Sequence, residues 1–240
     1  MFRVFTLLFY HDPAITHTLI GIMAGLTLIG GSIGAIAYKN IRQIVVYNVV
    51  IAVGFILVGL AVATQSAIEG AIYYLVHDMI VKALLFLLAG TMIDLTGKAK
   101  IGSMSGLIRN YPLLGWLFFI VILSLTGIPP FSGFIGKVLV GQGTIEAGAY
   151  ILLALGFISS IFVMYSLLRV FLNCFWGETT MSEEETVPLK RRLLFPCVLL
   201  TVATTGLGVG AEAISSYVED AANTLLNPHF YIESVLHQSE

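Results

Sequence analysis

Two lysines occupy hydrophobic stretches of this 240-residue sequence. Lys82 lies inside EGAIYYLVHDMIVKALLFLLAGTMID, and Lys137 follows the interrupted stretch LTGIPPFSGFIG. An ammonium group near the middle of a bilayer costs between about 3 and more than 10 kcal/mol. Because charged residues at that depth generally mark ion or proton pathways, the sequence predicts that both lysines take part in transport.

Two further titratable residues precede Lys82 on the same segment. Asp78 lies four residues before it, which places both side chains on one face of a helix, and His77 is the neighbour of Asp78. A histidine titrates near neutral pH when its surroundings do not perturb it. The three residues therefore have the composition of one station in a proton relay. The alternative is a structural Asp–Lys pair that fixes helix packing.

Glycines and prolines interrupt the segment that carries Lys137. Prolines remove backbone donors, and the carbonyls they free need partners inside a membrane. Transporters use such broken helices at ion sites because the ends of half-helices carry partial charges. The alternative is a lysine at the end of a short re-entrant segment that reaches water. The interrupting residues are Gly127, Pro129, Pro130, Gly133 and Gly136.

Composition restricts the class of protein. The sequence is 58% hydrophobic and 11% charged, whereas soluble domains carry about 25% charged residues. A net charge of −2 and the lack of a basic aromatic patch argue against a nucleic-acid partner. No zinc, haem, phosphate-loop or nucleophile motif occurs, so we predict no metal, cofactor or catalytic residue. A chain without a soluble face cannot hold a nicotinamide cofactor by itself.

About 20 apolar residues cross a bilayer as a helix, and this length divides the sequence into spans. The predicted fold is an all-α membrane protein with about seven transmembrane helices, one of them broken. Residues 214–226 predict an amphipathic helix at an interface or on a partner. Its apolar face comprises Ile214, Tyr217, Val218, Ala221, Ala222, Leu225 and Leu226. The spans are 16–38, 43–64, 69–93, 112–126, 147–175 and 193–211, with a partial span at 1–10 and the Lys137 segment at 131–145.

Basic residues in alternate connections indicate the orientation. Counting connections places Lys39, Arg42, Lys98, Lys100 and Arg109 on one side, which the positive-inside rule makes cytoplasmic. The run 190–192 then falls on the opposite side if the Lys137 segment crosses the bilayer completely. Arg42 and Lys39 read as cytoplasmic anchors or as residues of a proton exit.

Three stretches carry a family resemblance. YKNIRQIVVYNVVIAVGF, VHDMIVKALLFLLAG and SLTGIPPFSGFIGKVLV resemble the antiporter-like membrane subunits. That family is shared by the proton-pumping NADH:quinone oxidoreductases and the Mrp-type multisubunit sodium/proton antiporters. The pattern from Gly127 to Lys137 is the most specific part, and the resemblance covers essentially the whole chain.

The resemblance implies two inverted repeats, each with one broken helix. By this resemblance, Lys82 and Lys137 match the central and exit-side lysines of the second repeat, and Arg42 matches a basic position in the link between repeats. Asp78 stands where relatives commonly place a histidine. The chain begins inside what resembles the broken helix of the first repeat, which predicts a truncated subunit. The expected units are 1–38 as a remnant of the first repeat, 39–175 as the second repeat, 176–211 as a charged loop and last span, and 212–240 as an amphipathic tail.

The function predicted from this resemblance is proton translocation in a sodium/proton antiporter of the cell membrane. Its partners would be the lipid bilayer, other antiporter subunits, protons and sodium. The alternative is a proton-pumping subunit in the membrane arm of an NADH:quinone oxidoreductase. A third interpretation is a scaffold that transports nothing and whose lysines are merely paired.

Overall fold

A bundle of long apolar helices forms the protein. The computed structural model describes residues 2–7, 13–178, 189, 191–227 and 229, and every regular element among them is helical. Five of the helices are long and apolar enough to cross a membrane: α2, α3, α4, α8 and α9. The helices are α1 Phe2–Leu7, α2 Pro13–Ala37, α3 Ile41–Val62, α4 Gln65–Thr96, α5 Leu107–Asn110, α6 Pro112–Thr126, α7 Ser132–Glu146, α8 Tyr150–Cys174, α9 Arg191–Val209 and α10 Glu212–Leu226.

Helix α4 is the longest element and lies at the centre of the lysine-bearing region. Its 32 residues are about 48 Å long, so Lys82 lies near its middle. It begins one turn earlier than the sequence predicted because Thr64 Oγ1 accepts a hydrogen bond from Ala67 N at 3.3 Å and caps the first turn. Gly97 ends the helix in the left-handed region, with φ 65°.

Helices α6 and α7 together run from one end of the bundle to the other. α6 starts in the connection after α4, where Ile108 N donates to Phe175 O at 3.2 Å. α7 ends beside the start of α4, where Ser66 Oγ donates to the Glu146 carboxylate at 3.2 Å. Each helix has 15 residues and is about 22 Å long. The Lys137 segment therefore does not cross by itself, and the break lies inside the bundle.

The direction of α9 follows from its contacts with α4 and α7. Thr204 Oγ1 lies 2.9 Å from Ser132 Oγ, which in turn contacts His77. Further along α9, Leu207 O accepts from the hydroxyl of Tyr73 at 2.5 Å. α9 therefore runs antiparallel to α4.

This direction corrects the expectation for the basic run 190–192. Arg192, about 18 Å before Thr204 along α9, lies toward the end of the bundle that carries Lys98 and Lys100. The expectation of the opposite side depended on a complete crossing by the Lys137 segment. Lys190 is outside the described residues.

The connections that were predicted to share one side do meet. Asn40 and Lys100 form an isolated antiparallel bridge, in which Ile41 N donates to Ala99 O and Ile101 N to Lys39 O, both at 2.9 Å. Here the Arg169 guanidinium donates to Ile36 O at 2.6 Å and also to Tyr38 O. A cation at the C-terminal end of α2 satisfies carbonyls that the helix leaves unpaired.

Glycines allow α7 to pack closely on α4. A Cβ on Gly136 would lie 2.8 Å from Tyr74 Cβ, and one on Gly133 would lie 2.9 Å from His77 Nε2. Gly70 and Gly143 extend the same seam, since a Cβ on either would meet the backbone of the facing helix. Small residues at helix interfaces let backbones approach in this way, so the broken helix lies directly against the helix that carries Lys82.

The amphipathic helix α10 packs on α4 with a narrower stripe than the sequence predicted. Val218 and Ala222 are buried, and Ile214 and Val218 border a small cavity beside His77. Tyr217 is 73% exposed, and Ala221 is exposed as well. The buried face of α10 is therefore confined to Val218 and Ala222, which lie about one helical turn apart. The tail from 230 to 240 is outside the described residues.

Candidate functional site

Lys82 lies in the bundle interior and is paired. Its side chain extends from the middle of α4 toward α3, where Nζ donates to Asn48 O at 2.9 Å. Asp78 Oδ1 lies 3.6 Å from the same nitrogen, as expected for an acid one turn before a lysine. Only 7% of Lys82 is exposed. This lysine therefore faces protein, as its place in the sequence predicted.

Lys137 is held by the broken end of α6. Its Nζ donates to Leu125 O and Thr126 O, both at 2.8 Å, and to Ser160 Oγ at 2.9 Å. The last carbonyls of a helix have no partner within the helix and carry partial negative charge. Gly127 makes this end possible, since its φ of 86° lies in the left-handed region. The interruption in the sequence thus creates the acceptors for the lysine.

The surroundings of Lys137 exclude a lysine that simply reaches water. The residue is 7% exposed, and its Nζ lies 6.0 Å from the ring centroids of both Phe55 and Tyr74. Aromatic faces at that distance attract a cation. Within the described part of the chain the one salt bridge is that of Lys82 with Asp78. Lys137 is therefore a buried amine held by neutral dipoles.

His77 leads into a chain of buried hydroxyl groups at the break. Its Nδ1 lies 2.7 Å from Ser132 Oγ at the start of α7. Ser132 Oγ lies 2.9 Å from Thr204 Oγ1 on α9, which lies 2.9 Å from Ser124 Oγ on α6. All four side chains are buried. The chain of hydrogen bonds therefore joins four helices: α4, α6, α7 and α9.

Three buried polar atoms near the lysines have no hydrogen-bond partner among the described residues: Asn48 Oδ1, His77 Nε2 and Asp78 Oδ1. Leaving a buried acceptor or donor unpaired costs about 1–3 kcal/mol. Stable folds avoid that cost, and such atoms therefore call for a functional explanation. His77 and Asp78 belong to α4, and Asn48 belongs to α3, where its backbone carbonyl accepts from Lys82 Nζ.

Arg42 is separate from this cluster. It lies in the first turn of α3 with an exposed side chain, and its backbone N donates to Asn40 Oδ1 at 3.0 Å. The structure thus brings together Lys82, Asp78, His77 and Lys137 around one pair of helices. Arg42 stands at the end of the bundle with the other basic residues.

Sequence reasoning missed several polar contributors. Asn48 is an amide inside an apolar span, which is a signal that could have identified it, but it was not selected. Ser160 and Thr204 gave no distinguishable signal, because serine and threonine are common in membrane helices as packing residues. Their roles depend on which helices face the break, which spacing along the chain does not reveal. Ser132 lay within the recognised G-x-P-P-F-x-G stretch without being selected.

The sequence of residues 1–163 matches the family described as "NADH:quinone oxidoreductase/Mrp antiporter, TM". The chain belongs to this family. It is 50% identical over 234 residues to the D subunit of the Na(+)/H(+) antiporter from Bacillus subtilis (strain 168), a match that covers 98% of this chain and 48% of that protein. The corresponding protein of Alkalihalophilus pseudofirmus is 42% identical with the same coverage. The chain spans about half the length of the curated relatives it matches.

Solved structures agree with this family assignment. A chain of the Mrp complex from Dietzia sp. DQ12-45-1b superposes with a TM-score of 0.89 at 28% identity, over 98% of this chain and 52% of that chain. A chain of respiratory complex I from Thermus thermophilus gives 0.82 at 26% identity, over 94% and 49%. The predicted resemblance and the all-α membrane fold are confirmed. This member of the antiporter-like family is a multi-pass membrane protein.

Proposed function

We propose that this chain translocates protons as part of a multisubunit sodium/proton antiporter, with Lys82 and Lys137 as the mid-membrane carriers. In this proposal residues 39–175 correspond to the second inverted repeat, and α6 and α7 are the two halves of its broken helix. Residues 1–38 then correspond to the part of the first repeat that comes just before it. Arg42 would mark the link between repeats, a role that depends on the family resemblance alone.

The observation that carries the proposal is the buried amine of Lys137, which neutral groups hold at the helix break, in the same bundle as the buried and paired amine of Lys82. A lysine that only fixed packing would be expected to keep a full counter-charge, because a buried unpaired charge is expensive. Lys82 has Asp78 at 3.6 Å, whereas Lys137 has two backbone carbonyls and a hydroxyl. When Lys137 loses its proton, no buried carboxylate loses its counter-charge, because neutral groups hold this amine. This environment suits a group that gains and loses a proton.

Intervening groups suit a transfer between the lysines. Asp78 and His77 are adjacent on α4, and the ring of Tyr74 lies 5.4 Å from that of His77 and 6.0 Å from Lys137 Nζ. Asp78 Oδ1 and His77 Nε2, which have no hydrogen-bond partner among the described residues, are acceptors available to a proton in transit. No hydrogen bond between described residues joins Asp78 to Lys137, so each transfer there needs a side-chain rotation or a bridging water.

The names of relatives support sodium as the exchanged cation. The relatives from Bacillus subtilis and Alkalihalophilus pseudofirmus are named for Na(+)/H(+) antiport, and the Mrp complex is a structural neighbour. We infer that the partners of this chain are other subunits of such a complex, within a lipid bilayer. Coupling to sodium is a property of the whole assembly in this proposal.

The similarity to respiratory complex I supports a second candidate, a proton-pumping subunit of an NADH:quinone oxidoreductase. The same lysines would move protons, but electron transfer would supply the energy. Membranes that contain the complete complex distinguish the two. Sodium-dependent proton flux without NADH supports the antiporter, and flux that requires NADH oxidation supports the oxidoreductase.

The proposal is tested by replacing the carriers in the assembled complex. We expect Lys82→Ala and Lys137→Ala each to abolish sodium-dependent proton flux in vesicles, measured with a pH-sensitive dye. Lys98→Ala is the matched control, since Lys98 is exposed after the end of α4. Assembly is checked by native electrophoresis. Unchanged flux in both variants with normal assembly would support the scaffold interpretation and reject the proposal.

A further inference from the structure

The last membrane-spanning helix, α9, contributes a buried hydroxyl to the helix break. Thr204 is fully buried, and its Oγ1 lies 2.9 Å from both Ser124 Oγ and Ser132 Oγ. These serines belong to the two halves of the broken helix. One threonine therefore bridges α6 and α7 at the point where their backbones separate.

The bridge continues to a titratable group. Ser132 Oγ lies 2.7 Å from His77 Nδ1, so the order of the chain is His77, Ser132, Thr204, Ser124. Each hydroxyl can donate one hydrogen bond and accept others. The hydroxyl hydrogens of this hydrogen-bond chain can therefore all point toward His77 or all point away from it. Which direction they take depends on whether Nδ1 of His77 carries a hydrogen.

We propose that Thr204 is a relay residue that couples His77 to the end of α6. This inference rests on the proposed function and deepens it by adding α9 to the proton path. When Nε2 of His77 accepts a proton, the Nδ1–H bond breaks and Ser132 Oγ receives that proton. Ser132 passes its own hydroxyl proton to Thr204, and Thr204 passes its own to Ser124. Ser124 then passes its own hydroxyl proton to the neutral amine of Lys137 through a bridging water or a side-chain rotation, so every hydroxyl regains its starting composition and the added charge ends on Lys137.

The far end of the chain lies beside the site of Lys137. Ser124 immediately precedes Leu125 and Thr126, whose carbonyls bind Lys137 Nζ at 2.8 Å. α7 approaches this turn closely, since a Cβ on Gly133 would meet both Ser124 O and His77 Nε2. The two ends of the hydrogen-bond chain, His77 and Ser124, are therefore close together. A proton leaving Ser124 thus emerges at the turn that holds the exit-side lysine.

The test compares three single variants of the complete antiporter complex. Thr204→Val keeps the branched shape and removes the hydroxyl, whereas Thr204→Ser keeps the hydroxyl. Thr205→Val is the matched control, because the hydroxyl of Thr205 donates to Thr201 O on its own helix at 2.9 Å and to no other described residue. We expect sodium-dependent proton flux per assembled complex to fall about ten-fold or more in Thr204→Val. Thr204→Ser and Thr205→Val should remain within about two-fold of the wild type, a much smaller change than the loss expected for a missing proton-transfer group.

A second variant keeps the proposal testable if Thr204→Val does not assemble. Ser124→Ala removes one oxygen from the far end of the chain, and we expect the same loss of flux. Normal flux in an assembled Thr204→Val or Ser124→Ala complex overturns the relay. Loss of flux in an assembled Thr204→Ser complex, which keeps the hydroxyl, overturns it as well. Lys137→Ala is measured in parallel. If Lys137→Ala loses flux while the hydroxyl variants retain it, the inference about Thr204 fails and the proposed function stands.

Discussion

At the residue scale, the two lysines are accommodated by different chemistry. Lys82 has a carboxylate at 3.6 Å and one backbone carbonyl, so its charge is compensated by another charge. Lys137 has the two last carbonyls of α6 and a serine hydroxyl, so its charge is compensated by dipoles. The first arrangement needs only a helix with the right spacing, and the second needs a helix that ends inside the bundle.

Removing one member of the buried pair should be more harmful than removing both. Asp78→Ala leaves Lys82 without a counter-charge, and breaking a buried pair in this way costs about 3–5 kcal/mol. The double variant Asp78→Ala with Lys82→Met replaces the pair by apolar groups and should recover most of that stability. Thermal unfolding of the purified protein in detergent measures both. A double variant as unstable as Asp78→Ala would contradict the pairing.

At the element scale, the broken helix is positioned by its contact with α4. The interface is lined by glycines of α7, and a Cβ on Gly136 would lie 3.0 Å from Tyr74 N as well as 2.8 Å from Tyr74 Cβ. Because backbone atoms cannot move aside cheaply, the absence of a side chain at this position sets the distance between the helices. That distance in turn allows His77 to reach Ser132.

An alanine at this interface should separate the two helices. We expect Gly136→Ala to destabilise the protein by about 1–3 kcal/mol, the usual cost of overpacking, and to reduce proton flux. Gly90→Ala on α4 is the matched control, since a Cβ there meets nothing within 4 Å and alanine favours helix by up to about 1 kcal/mol. Thermal stability in detergent and flux in vesicles are measured together. Equal effects of the two substitutions would show that close packing does not position α7.

At the scale of the whole molecule, the basic residues of the connections lie with Arg192 at one end of the bundle. The bridge between Asn40 and Lys100 joins two of the basic connections, and the antiparallel course of α9 brings Arg192 to the same end. Glu146 lies at the other end with Ser66. The positive-inside rule therefore predicts that this end of the bundle is cytoplasmic.

Labelling with a membrane-impermeant maleimide tests this orientation. Single cysteines at Arg42, Lys100 and Arg192 should react only from the cytoplasmic side of sealed vesicles, and Glu146→Cys only from the opposite side. The native Cys174 and Cys197 are buried, so their background reaction should be low. Labelling of Arg192→Cys and Glu146→Cys from the same side would contradict the single crossing of α6 and α7.

The sequence by itself determined the membrane class, the approximate helices and the pairing of Asp78 with Lys82, because these depend on hydrophobic length and on spacing within one helix. It also indicated the break before Lys137, since glycine and proline act locally. The tertiary structure decided that α6 and α7 together run the length of the bundle, that Lys137 binds the carbonyls of α6, and that Thr204 of α9 reaches the break. Those contacts join residues far apart in the chain, and ordinary serines and threonines acquire a partner only when the helices pack. The direction of α9 followed from the same packing, and it brings Arg192 to the end of the bundle that carries Lys98 and Lys100, whereas counting spans along the sequence depended on whether residues 131–145 cross completely.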